Sequence, residues 1–207
     1  MNRGLHACLC GRIPKKGAPA PRSGTPPDGH TVLVTSSSFV VNPSIYKKLP
    51  YDTVRDFLPV SQLAEGEAHI IVVNPSLPAR TVKEPIALAG RPGAKLAYGS
   101  PGVGNTIHLV SALFNLRAGT QIESGLTGTE MPPSWHGMLA PAKTPPAVLA
   151  KLAAEVQKAV KSPQTQERIV AIGLEPVGST PEAFRKLFAS NIKRFAELVK
   201  LAGVEPE

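Results

Sequence analysis

The stretch KLAYGSPGVGNT, residues 95–106, followed by IHLVSALFNL, residues 107–116, decides the fold class. Lys95–Tyr98 reads as a short strand, and Gly99, Pro101, Gly102 and Gly104 interrupt it. Beyond them Ile107, Val110, Leu113 and Phe114 recur at helical spacing. A strand, a glycine loop and a helix in succession form the building unit of α/β proteins.

Working outward, Asp28-Gly29 is a turn dipeptide that leads into Thr31–Thr35, a β-branched run short enough for a buried strand. Ser36, Ser37 and Ser38 follow it, and then Phe39–Pro43. Residues 47–56 carry Pro50 and charges that place them on the surface. His69–Val73 is the most apolar run and predicts a central strand buried on both faces, as parallel sheets require. Thr81-Val-Lys-Glu84 has capping-box spacing and predicts a helix to about Ala89. Met131–Pro141 reads as extended around Trp135, Met138 and Leu139.

The last third is helical. Thr144-Pro145, Ser162-Pro163 and Thr180-Pro181 each place a hydroxyl before a proline, the pattern of a helix start. Val148, Leu152, Val156 and Val160 form one apolar stripe, and Phe184, Phe188, Ile192, Phe195 and Val199 form another before Gly203 ends the helix. Strands alternating with helices predict an α/β fold with a mostly parallel sheet.

Length and composition fit one domain. The chain has 207 residues, 42% hydrophobic and 18% charged, with 22 Pro and 18 Gly. Its net charge of +8 is uneven: Arg3, Arg12, Lys15, Lys16 and Arg22 lie in residues 1–27 without one acid. No basic stripe interleaved with aromatics occurs in 28–207, so nucleic acid is not an expected partner. Residues 1–27 are expected to be a disordered leader, because their prolines, glycines and uncompensated charges cannot offset the entropy of ordering. Leu5–Cys10 is too short for the apolar part of a secretion signal. Cys8 and Cys10 read as unpaired thiols.

The chemistry concentrates on Gly99–Thr106. It matches the phosphate-loop pattern G-x-x-x-x-G-K-[ST] except at Asn105, which stands where the lysine would neutralise phosphates. What remains is a set of N–H groups at a helix start plus the hydroxyls of Ser100 and Thr106, suited to a single carboxylate. A glycine turn capped by Asn105 or Thr106, with no ligand, is the alternative. Ser36–Ser38, beyond the end of another strand, would form a second wall. His108 near the helix start could bond an anion or serve structure alone. His69 and His136 have no metal-ligand spacing. No cofactor, metal or catalytic set is read from the chain.

These segments, in order, resemble the extracytoplasmic solute receptors of tripartite tricarboxylate transporters, the Bordetella uptake family. The resemblance rests on Asp28-Gly29, Asn42–Asp52, Asp56-Phe57, Val72–Pro75, Thr81–Glu84, Tyr98–Gly104, His108-Leu109, Trp135–Pro141 and Glu175–Gly178. It implies a periplasmic-binding-protein-like (type II) lobe that binds a small carboxylate, not an enzyme, with membrane transporter subunits as partners and the periplasm as location. Ligand contacts carried over fall on Ser36, Ser37, Ser38, Ser100, Gly102, Gly104, Asn105, Thr106 and His108. The chain as written lacks the family's secretion signal, first strand and first glycine loop, which leaves a cytoplasmic location open.

Ala118–Ile122 looks like the start of the family's second lobe, and Glu123–Glu130 looks like the segment just before the return strand. The second lobe is therefore expected to be largely missing, residues 28–207 to form one lobe, and 118–133 to be the junction. Uncovering Trp135, Met138 and Leu139 would then favour self-association. Two other readings stand beside the receptor: a nucleotide-handling enzyme with a degenerate phosphate loop, and a non-functional remnant.

Overall fold

The computed structural model describes residues 6–9, 25–66, 72–91, 106–118 and 133–206, with backbone only for His6–Leu9 and His108. Among these residues five strands, β1 (His6–Leu9), β2 (Thr31–Ser36), β3 (Phe57–Gly66), β4 (Ser134–Pro141) and β5 (Glu175–Pro176), form one sheet in the order β1-β2-β4-β3-β5. The helices are α1 (Ser38–Ile45), α2 (Lys83–Ala89), α3 (Thr106–Ala118), α4 (Pro146–Val160), α5 (Pro163–Ala171) and α6 (Pro181–Leu201). No described helix is long and apolar enough to cross a membrane.

The α/β class holds, but among the described residues the sheet is not the mostly parallel one expected. There, only β1 and β2 pair in parallel; β4 is antiparallel to β2 and to β3, and β3 is antiparallel to β5. Strand–helix alternation correctly implies that β2 and β3 point the same way across the α1 connection. What it cannot reveal is that β4, distant in sequence, inserts between them and runs backwards.

Three other expectations change. His6–Leu9 is not part of a disordered leader: it pairs with Thr31–Val34 at the sheet edge. Composition weighs side chains, whereas a four-residue edge strand is held by main-chain hydrogen bonds. Of the expected His69–Val73 strand, residues 69–71 lie outside the described residues, and Val72 and Val73 lie outside any strand, Val72 being 86% exposed. Phe57–Gly66, which no expectation named as a strand, is paired on both edges, by β4 and β5. Pro59 sits in it beside a register shift between Pro59 and Ser61, where a missing N–H is tolerated. Finally, Trp135 and Leu139 are not uncovered. They are 1% and 0% exposed, and Met138 packs against Val60, Ala140 and Ala153.

The reason is the aromatic stripe of α6. Phe184 meets the Trp135 ring edge-on at 5.1 Å between centroids, Phe188 lies 6.0 Å away, and the indole Nε1 donates to Asn191 Oδ1 at 3.3 Å. Leu33, Leu139 and the buried side of α1 (Phe39, Val40, Val41, Ile45) complete this core, with Leu109 and Leu113 of α3. The opposite face of the sheet is covered by α4 through Ala153, Leu149 and Leu152. Both faces are thus closed by helices whose starts were legible, Thr180 capping α6 by accepting from the Ala183 N–H. The capping box before α2 forms by half: Glu84 accepts from the N–H groups of Thr81 and Arg80.

Candidate functional site: the corner between α1 and α3

The sheet delivers β2 to its last residue, Ser36, which lies opposite His136 of β4. Side-chain alternation separates the serines. A Cβ on Gly137 would strike the Phe184 ring at 2.1 Å, so Gly137 faces α6 and its neighbour His136 faces the other side, with Ser36. Of the predicted serine wall, Ser36 therefore points toward the α4 side, while the chain turns into α1 at Ser37.

Ser37 is the N-cap of α1. Its N–H donates to the Trp135 carbonyl at 2.9 Å, and its backbone (φ −55°, ψ −20°) is already helical. An N-cap serine ordinarily accepts an N–H from its own first turn. Here it does not: the Ser37 side chain makes no capping bond, its residue is 0% exposed, and its Oγ has no partner among the described residues. A buried hydroxyl left unmatched costs about 1–3 kcal/mol, so its presence calls for a reason. The first turn of α1 is left to be satisfied by something other than its own cap.

Ser38, one residue on, meets the start of α3. The Thr106 N–H donates to Ser38 Oγ at 3.4 Å, and the Ser38 and Thr106 hydroxyls lie 3.3 Å apart, both residues 8% exposed. Two helix N-termini, each carrying partial positive charge, are thus brought together by residues 68 positions apart. Asn42 and Tyr51 brace the other end of α1 through an Nδ2–H to OH bond of 2.9 Å, with the Tyr51 ring stacked on Phe39.

Ser36, Ser37, Ser38 and Thr106 are therefore placed, and the last three share this corner. Ser100, Gly102, Gly104 and Asn105 lie outside the described residues, as does the side chain of His108 on α3. Sequence reading missed His136. Its Nδ1 is buried without a partner among the described residues, and burial lowers its pKa from 6.5. Alternation along β4 puts it on the face opposite Leu139, but its place beside Ser36 comes from the β2–β4 register, which no local spacing gives. Among the described residues, no group of three or more His, Cys, Asp or Glu could hold a metal ion.

Such a corner offers N–H and O–H donors and two helix dipoles, the equipment for an anion of low charge. Comparison with known proteins gives the family and the fold. A family model described as the tripartite tricarboxylate transporter family receptor matches residues 21–124 and 120–204. An uncharacterised protein family 0065 member from a tcbD–tcbE intergenic region of a Pseudomonas species is 27% identical over 235 positions, covering 84% of this chain and 69% of its own. Protein BugT of Bordetella pertussis is 25% identical over 240 positions, with 86% and 73% covered. These spans exceed the 207 residues of the chain, so the relatives carry residues inside the matched region that have no counterpart here.

In fold, the chain is similar to the periplasmic binding protein BugD, with a TM-score of 0.76, 22% identity and coverage of 90% of this chain and 82% of that one. A Rhodopseudomonas palustris protein solved with adipate gives 0.74 at 22% identity, with 90% and 82% covered. The MatC protein of the same organism, with bound malate, gives 0.60 at 19%, with 86% and 82% covered.

Proposed function

Because the chain belongs to the tripartite tricarboxylate transporter family of receptors, we propose that its α1–α3 corner holds one carboxylate of a small di- or tricarboxylic acid for uptake. The observation that carries this reading is the Ser37 hydroxyl, fully buried and without a partner among the described residues where two helix N-termini meet. A carboxylate oxygen accepts from such a hydroxyl and from first-turn N–H groups, and the helix dipoles favour its charge. The adipate and malate held by proteins of the same fold support the ligand class.

The role is binding rather than catalysis, with membrane transporter subunits as partners and the periplasm as the place of work. Residues 28–207 act as one lobe, residues 118–133 replacing most of a second. That reading is supported by the two family-model matches overlapping at 120–124 and by the extra residues of the relatives. A cleft normally buries 70–90% of a small ligand, so a single lobe binds loosely. Calorimetry with malate, adipate and citrate is expected to give dissociation constants weaker than about 1 μM. A rise in melting temperature with ATP and magnesium, and none with these acids, would overturn the proposal.

A further inference from the structure

The sheet has two edges, and they are built differently. β5 forms one of them with Glu175 and Pro176 alone, so that edge is short, charged and lacks an N–H. Shortness, charge and proline are the devices by which a sheet refuses a further strand. β1 forms the other edge with His6–Leu9, which include no acid, lysine, arginine or proline. It pairs with β2 in parallel, from His6 opposite Thr31 to Leu9 opposite Val34. Alternate residues of such a strand turn both main-chain groups to the same side, so half of them direct their N–H and C=O away from β2. Among the described residues no strand meets that side.

We infer that this edge of β1 docks the β1 of a second copy of the chain, the two strands pairing antiparallel about a twofold axis. The strand suits its own copy. Turned in this way, His6 of one copy stands opposite Leu9 of the other and Ala7 opposite Cys8, so no like charges face each other within the paired stretch. Because the β5 edge is blocked, each chain has one edge to offer, and association stops at two copies instead of running on as a fibre. So few paired residues make an interface far smaller than the roughly 1,200–2,000 Å² of stable complexes, and the dimer is weak. Arg3 and Arg12 flank the strand, so salt that screens their repulsion strengthens it.

Sedimentation of the full chain under reducing conditions, where Cys8 and Cys10 cannot link copies, should show passage from monomer towards dimer between about 10 μM and about 1 mM. Ala7→Lys, which sets a charge on the open edge, should raise the dissociation constant at least about tenfold, whereas Glu175→Lys on the other edge should leave it within about twofold. Amide exchange of the wild type decides the matter if Ala7→Lys loosens β1 itself. Alternate amides of His6–Leu9 should slow several-fold on going from dilute to concentrated protein, and those between them, already bonded to β2, should not change. A monomer throughout, growth beyond two copies, association that Ala7→Lys leaves intact, or amides equally protected at every concentration would each overturn the inference.

Discussion

Ser37 separates stability from function. Its hydroxyl is buried with no described partner, so replacing it relieves an unmatched polar group while removing a donor from the site. Ser37→Ala is expected to leave stability unchanged or raise it by about 1 kcal/mol in urea unfolding, and to weaken malate binding. A clear loss of stability would mean that the hydroxyl has a structural partner. His136 gives the pH dependence. Burial lowers its folded pKa below 6.5, whereas the unfolded chain titrates near the ordinary value. Above about pH 6.5 both states are neutral and histidine adds no slope. As pH falls through that value the unfolded chain takes up the proton first, so stability declines until the folded pKa is reached. The urea midpoint should fall between pH 7.5 and 5.5, and His136→Gln should flatten the slope. An unchanged slope in that variant would place the titration elsewhere.

Among the elements, β4 is the most constrained. Gly137 leaves room for Phe184, itself 0% exposed and wedged against Trp135, so a methyl group there has nowhere to go. Gly137→Ala is expected to cost about 1–3 kcal/mol in thermal or urea unfolding, and a neutral effect would mean that α6 does not lie as described. The elements also show which parts of the fold are legible. β2 and the helices after Thr144, Ser162 and Thr180 follow from local chemistry: β-branching, prolines and apolar stripes, with a hydroxyl cap formed at Thr180 but not at Thr144 or Ser162. β3 escapes because Pro59 argues against a strand unless the register shift beside it is known. Val72 and Val73, expected in a strand, lie outside any strand, because apolarity reports a preference for burial but not where a strand ends. The meeting of Ser38 with Thr106 was expected only in outline, from the rule that ligands gather beyond strand ends. That Ser37 has no partner among the described residues is a three-dimensional fact that no spacing encodes.

At the scale of the whole molecule, the covering of Trp135 by α6 removes the ground on which self-association was expected. The indole should emit at short wavelength and resist a soluble quencher, and red-shifted, freely quenched emission would show that the aromatic core is not closed. The account centres on an anion held where α1 and α3 begin, and amide shifts of the isotope-labelled protein titrated with malate test it most directly. Ser38, Phe39, Thr106 and Ile107 should shift together along one saturating curve, while β5 and α5 stay still. Shifts that centre on α4 or α5, or that never saturate, would contradict a carboxylate site at that corner.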